Sequence, residues 1–192
     1  MPSTKPDEPA LLSFVRESNA IEGLYDPPYG AGTPEFDDHL DAARRVAAGT
    51  LSDIFEIHYV LTHRILAPDQ AGVARAVNVT VGGHYPPAAG AHLRAHLRRF
   101  AVILATGPRP GETASSFGWR IHNEFESVHP FVDGNGRTGR LLLNALRRRD
   151  GLPWVTVLAS RRQDYYRTIR DYQSHGFVCG GPGSDYRLCE GR

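Results

Sequence analysis

Long apolar runs are missing from this sequence. The longest, Phe100 to Ala105, is far too short to span a bilayer, which takes about 20 apolar residues. The opening stretch MPSTKPDEPA is polar and proline-rich, so no signal peptide is read there and a cytoplasmic protein without a membrane role is expected. Charge of one sign is lacking too. Twenty-two Lys and Arg against 21 Asp and Glu leave a net charge of +1, which argues against a general polyanion-binding role. A hydrophobic content of 41% argues against disorder. Arginines do cluster at Arg44–Arg45, Arg98–Arg99, Arg147–Arg149 and Arg161–Arg162. Each cluster sits beside an apolar helical pattern, so these are read as solvated helix faces and no nucleic acid partner is expected. Cysteine is scarce: Cys179 and Cys189 lie in a glycine-rich tail without metal-ligand spacing. A reduced setting is the simpler reading, with a tail disulfide as the alternative. No internal repeat and no second composition regime appear, so one domain is expected over residues 10–175. Residues 1–9 are expected to be disordered, and 176–192 to form a flexible tail.

What is present is helical periodicity. Leu11, Phe14, Val15, Ser18 and Ile21 recur at three-and-four spacing, and Gly23 follows as a C-cap residue. After the turn-rich DPPYGAGTP, Thr33 and Pro34 open a second helix through Phe36, Leu40, Ala43 and Ala47, closed by Gly49. Ser52 is expected to start a third, with Ile54, Ile57, Leu61 and Ile65 on one face. Further helices carry Leu93 to Leu104, Ala114 to Val128, and a run from about Gly136–Thr138 to Gly151. Ser160 and Gln163 form a capping-box pattern before Tyr165, Tyr166, Ile169 and Tyr172. The one convincing strand signal is VNVTVGGHY, residues 77–85, where alternating valines precede Gly82–Gly83 as in a short β-hairpin. The expected fold class is therefore all-α, a compact helical bundle with one small β-hairpin.

Residues 129–140, HPFVDGNGRTGR, concentrate the chemistry. Pro130 biases His129 out of helical geometry, while Gly134, Asn135 and Gly136 lead into a helix N-terminus. Free backbone N–H groups and the helix dipole favour an anion there, and glycines let the backbone approach a phosphate closely. Arg137 and Arg140, three apart, share a helix face at that end and can both serve phosphate oxygens. Asp133 beside a phosphate nest would be repelled without an intervening cation, which points to Mg²⁺. His129 is then the natural general base for a hydroxyl attacking the phosphorus. Two other readings stay open at this stage. His122, Glu126 and His129, at i, i+4 and i+7, could form a zinc site, although that leaves both arginines unused. A nucleotide-binding regulatory module without transfer would need neither the base nor the acid.

The stretch HPFVDGNGRTGR resembles the signature of the Fic family, and the flanking IHNEFES and RLLLNAL segments are family-like as well. The resemblance covers roughly residues 10–175. It implies a compact Fic-type bundle and transfer of AMP from ATP to a Ser, Thr or Tyr hydroxyl of a target protein. By that resemblance His129 is catalytic and Asp133 holds Mg²⁺. Gly134, Asn135 and Gly136 hold the α- and β-phosphates, with Arg137 and Arg140 at the β/γ end. SNAIEG resembles the family's inhibitory motif, with Ser18, Glu22 and Gly23 in its positions at the end of the segment 10–23. It implies that Glu22 pairs with Arg140 and displaces the γ-phosphate. VNVTVGGHYPP resembles the family's flap, here residues 77–87, which implies target docking along Thr80, Val81, Gly82, Gly83 and His84. Tyr165 and Tyr166 match adenine-lining aromatics, while Gln173 stands where eukaryotic-type relatives carry asparagine. Within the family, another nucleotide donor, phosphocholine transfer or hydrolytic removal of AMP stay open; the Doc-type kinase carries lysine where Gly136 stands. A homodimer is compatible with the reading and would govern how tightly Glu22 is held. No target protein is legible.

Overall fold

The computed structural model describes residues 5–175; residues 1–4 and the tail with both cysteines, 176–192, lie outside the described residues. The described chain runs α1 (Glu8–Ile21), α2 (Pro34–Ala48), α3 (Ile54–Thr62), α4 (Ala91–Thr106), α5 (Ala114–Val128), α6 (Asn135–Arg149), a 3-10 turn (Ala159–Arg161) and α7 (Arg162–His175). Among the described residues there is no sheet; an isolated antiparallel bridge joins Val81 and His84. No helix among them is long and apolar enough to cross a membrane.

Helix α6 is the hub, packed against α1, α2, α3 and α5. Three consecutive leucines explain how one helix serves so many neighbours. Successive side chains on a helix point about 100° apart, so Leu141, Leu142 and Leu143 face three directions. Leu141 joins Phe14, Val15, Val46 and Leu61 from α1–α3. Leu142 packs among Phe117, Ile121, Phe125 and Phe131. Leu143 enters a third cluster with Ile21, Trp119, Tyr165 and Ile169. The polar residues on the first turn of α6 are thus held at the junction of three cores.

Helix ends follow local capping, and here some expectations need correction. Asp7 accepts from Ala10 N–H (2.9 Å), so α1 opens at Glu8, ahead of the expected boundary at residue 10. Asp53, not Ser52, caps α3, accepting from Phe55 and Glu56 N–H (2.9 and 3.1 Å). A carboxylate in that position also meets the positive helix end. Helix α3 stops at Thr62, which leaves Ile65 outside it. The capping box expected from Ser160 and Gln163 does not open α7. Ser160 lies within the 3-10 turn, whose start is fixed by Ala159 N–H donating to Glu17 Oε2 (2.6 Å). A capping box that spacing did not single out, Thr113 with Ser116, opens α5.

The expected β-hairpin is reduced to one bridge, Val81 with His84, across Gly82 and Gly83, which both take positive φ (53° and 85°). The turn chemistry is that of a two-residue hairpin, but the strands do not extend. Val77 and Val81 are exposed, at 57% and 37%, so no buried face rewards pairing. Pro86 and Pro87 have no N–H with which to continue a ladder.

Candidate active site

His129 caps the C-terminus of α5 at φ 47° and ψ 62°, the one non-glycine residue with positive φ among the described residues. Its N–H still reaches Phe125 O (2.9 Å), while Pro130 prevents the chain from continuing as a helix. Such backbone strain persists only where surrounding contacts over-determine it, and the loop 129–134 is gripped from three sides. Asn135 Oδ1 accepts from Phe131 N–H (3.0 Å) and its Nδ2 donates to Phe131 O (2.9 Å). The Phe131 ring is fully buried and stacks on His58 at 3.7 Å. His58 Nδ1 accepts from Gly72 N–H (2.8 Å), which leaves Nε2–H to donate to Asp133 O (2.9 Å). Arg75 Nε donates to the His129 carbonyl (2.8 Å).

The first turn of α6 follows Gly134, left-handed at φ 75°. A Cβ on Gly136 would strike Glu22 Oε1 and crowd Arg140 Nη1, so glycine is what lets a carboxylate lie against this helix N-terminus. Arg140, 1% exposed, donates Nε to Ser18 Oγ (2.8 Å), Nη2 to Ser18 O (2.9 Å) and Glu22 Oε1 (2.6 Å), and Nη1 to Tyr165 Oη (3.2 Å). Glu22 reaches it from the end of α1, where Gly23 N–H bonds Ala20 O and Leu24 N–H bonds Asn19 O. With Gly23 at φ 84°, this is a Schellman ending, and it fixes where Glu22 leaves the helix. Arg137 is buried, with Nε and Nη1 unpaired and Nη2 4.0 Å from Asp133 Oδ2. A buried guanidinium with two unpaired nitrogens at a helix N-terminus is suited to an incoming anion. Asp133 accepts from Gly134 N–H (2.6 Å), and its side chain is 66% exposed. A solvent-facing carboxylate beside an anion-favouring helix start fits a divalent cation bridging it to phosphate.

A cavity of about 280 Å³ unites Glu22, His129, Gly136, Arg140, Tyr165 and Tyr166, with Val81 and Gly82 on its rim and Ile169, Arg170 and Gln173 at the α7 side. Asp133, Gly134, Asn135, Arg137, Thr80, Gly83 and His84 are not among its lining residues. Two of these residues have their side chains engaged within the protein. The Asn135 side chain closes the loop onto Phe131 instead of facing the cavity, so only its backbone is placed for an anion. His84 uses Nε2 on Ser127 O (3.1 Å), anchoring the segment to α5. Tyr165 is 1% exposed, and its hydroxyl lies between His122 Nε2 (2.9 Å) and Arg140. Tyr166 donates to Ile21 O (3.1 Å) at the end of α1.

Electrostatics follow from burial. Burial lowers the His129 imidazole to about 4, reinforced by Arg75. It is therefore neutral, and able to take a proton, at pH 7. Its Nδ1 is buried and unpaired, 4.0 Å from Glu126 Oε2. Burial raises Glu126 to about 8 against the opposing pull of Arg140, with Glu22 adding to the rise. Burial also lowers His122 to about 3. The zinc alternative does not fit this arrangement. His122 Nε2 is occupied by Tyr165, and no group of three or more His, Cys, Asp or Glu among the described residues is arranged to hold a metal. Sequence reasoning missed Arg75 and His58, which lie far from the motif in the chain. The buried position of His58 in the apolar run IFEIHYVL was the only local signal.

A family model described as Fic/DOC family matches residues 49–146. That span holds His129 through Arg140 but neither Glu22 nor the two tyrosines. A protein adenylyltransferase Fic of Drosophila grimshawi is 38% identical over 122 residues, which is 63% of this chain and 25% of that protein. One of Drosophila mojavensis is also 38% identical over 122 residues, 63% of this chain and 24% of that protein. The chain thus spans about a quarter of the length of these curated relatives. Fic-1 from C. elegans superposes with a TM-score of 0.68 at 25% identity, covering 86% of this chain and 56% of that one. A Fic domain-containing signaling protein from Bacteroides thetaiotaomicron gives a TM-score of 0.67 at 19% identity, covering 88% and 77%, a likeness of fold alone.

Proposed function

The chain belongs to the Fic/DOC family, and on that footing we propose that it transfers AMP from ATP to a hydroxyl of a target protein and is held in check by Glu22. The observation that carries the reading is the pairing of buried Arg140 with Glu22 in the cavity that also opens on His129. A carboxylate lies against Gly136, where the helix dipole and the two unpaired nitrogens of nearby Arg137 favour phosphate.

On this reading the α-phosphate sits at the first turn of α6 beside His129. Neutral His129, with Nδ1 buried, takes the proton of a Ser, Thr or Tyr hydroxyl at Nε2 as the oxygen attacks the α-phosphorus. The bond to the pyrophosphate oxygen breaks, and charge builds there against the guanidinium of Arg140. Asp133, with phosphate oxygens, would hold Mg²⁺, which supplies charge neutralisation to the leaving pyrophosphate. The protein's own contribution is positioning and electrostatics. Arg140 cannot serve Glu22 and a phosphate equally well, so an engaged Glu22 spoils the geometry at the α-phosphorus. The bridge region around Val81 and Gly82 adjoins the cavity, where a target segment would place its hydroxyl.

The test is incubation of the Glu22→Gly protein with ATP labelled at the α-phosphate and with candidate proteins from lysate. Labelled protein is expected, and it should vanish with His129→Ala or on chelation of Mg²⁺. Undiminished labelling by the His129→Ala protein would sink the base assignment.

A further inference from the structure

We infer that Arg75 is a positioning residue that locks the segment 77–87 and His129 into one rigid unit. This rests on the proposed transfer reaction for its catalytic consequence, but not for the mechanical one. Arg75 is 3% exposed, so its whole side chain lies inside the protein. Its guanidinium donates Nε to His129 O (2.8 Å), Nη1 to Val77 O (2.9 Å) and Nη2 to Pro87 O (2.6 Å). Its backbone N–H adds a bond to Pro130 O (2.8 Å).

The pattern of acceptors is informative. Val77 and Pro87 are the two ends of the segment whose middle carries the Val81–His84 bridge. That single bridge cannot hold the segment against the body, so its placement depends on outside ties. His84 on Ser127 O and Asn78 Oδ1 on Ala89 N–H are two such ties, and neither reaches His129. Arg75 alone among the three touches both ends of the segment and the carbonyl of the base. A planar fork with fixed donor directions suits three acceptors held apart in space, and a lysine ammonium does not reproduce it. His129 sits at positive φ, a conformation that its neighbours must enforce. The same guanidinium that enforces it sets where the rim residues Val81 and Gly82 lie. The position of a target hydroxyl and the position of the base are thereby registered to each other.

Arg75→Met and Arg75→Lys test this. Nucleotide affinity should stay within about twofold while protein transfer falls about 10²-fold in the Met variant and less in the Lys variant, because small displacements of reacting groups cost that much. The loss should divide between kcat, through His129, and KM for the protein target, through the segment. Independently of activity, amide exchange at 77–87 should quicken, and the His129 imidazole NMR resonances should move. A folded Arg75→Met with unchanged exchange, resonances and transfer overturns the inference. Should the Met variant not fold, Arg75→Lys decides in the same way. If wild-type and Glu22→Gly proteins transfer no nucleotide at all, the transfer reading falls, while exchange and NMR still decide whether Arg75 couples the two elements.

Discussion

Replacing Glu22 should have opposite effects on the free protein and on its nucleotide complex. Arg140 has five N–H donors, and four are committed, to Ser18 Oγ, Ser18 O, Glu22 Oε1 and Tyr165 Oη. One Nη1–H is left over, so a phosphate that takes more than one hydrogen bond from Arg140 must displace a partner. Glu22 is the displaceable one, because its side chain is 33% exposed whereas Ser18 and Tyr165 are each 1% exposed. A hydrogen bond between charged groups contributes roughly 1.5–3 kcal/mol, and the exposure of Glu22 puts this one near the low end. Relieving that competition should tighten apparent binding of nucleotide about tenfold. Without nucleotide the sign reverses, since Arg140 then keeps a buried charge with no carboxylate. Such a loss costs about 3–5 kcal/mol for a fully buried pair, and about 1–2 kcal/mol after discounting for the exposed partner. For a chain of this size that lowers Tm by about 2–8 °C. Glu22→Gln isolates the charge, whereas Glu22→Gly adds backbone entropy to the unfolded state. The assay is thermal melting of wild type and both variants with and without ATP. The variants should melt lower alone and gain more from ATP. A Glu22→Gln protein that melts and responds to ATP like wild type would refute the reasoning.

The pH dependence of transfer follows from the lowered imidazole: His129 is neutral above about 4 and protonates below it, so the acid limb of the rate profile should lie near pH 4, not near 6.5. Rate measurements across pH 4–8 with nucleotide saturating check this. Glu126 has the reverse linkage. Burial holds its folded pKa at about 8, above the 4.5 usual for a glutamate, so the folded state retains a proton that the unfolded state releases. Stability should therefore fall as pH rises from 4.5 to 8, by roughly 1.4 kcal/mol per unit at most. Glu126→Gln should flatten that slope in denaturant melts at pH 5 and pH 8. Asn144 is 1% exposed, and its side chain bonds both Val155 N (2.8 Å) and Val155 O (2.9 Å). Asn144→Ala should cost about 2–4 kcal/mol by leaving buried backbone groups unpaired, read as a lower midpoint in urea.

How far the site could be read from sequence depended on whether its chemistry was local. His129, Gly136 and Arg140 lie within twelve residues of one another, and the helix that carries them needs only the leucine pattern to be placed. The pairing of Glu22 with Arg140 spans 118 positions, and no spacing argument reaches that far; the motif resemblance supplied it. The resemblance gave Asn135 a phosphate role, and no residue pattern announces that its two side-chain polar atoms close on Phe131 four residues back. Arg75 was invisible because all of its acceptors are backbone carbonyls, which no residue type announces. The hairpin failed for a tertiary reason. Alternating valines predict strands only when one face is covered, and here neither Val77 nor Val81 is buried.

The geometry also constrains how Glu22 can let go. Helix α1 is anchored along its length, with Phe14, Val15, Ser18 and Ile21 all buried at 1% exposure or less. Its end is tied again by Tyr166 on Ile21 O, and the 3-10 turn before α7 is bound to Glu17. Moving the helix would break all of these at once. Rotating the Glu22 side chain breaks one bond to Arg140 and leaves Ser18 on the guanidinium. Release by side-chain rotation is therefore the cheaper route by several hydrogen bonds and a buried apolar face. It follows that α7 matters twice on the proposed reading. Tyr165 holds Arg140, Tyr166 holds the end of α1, and both line the cavity a nucleotide base would enter. The cavity and the hold on Glu22 therefore draw on the same pair of tyrosines.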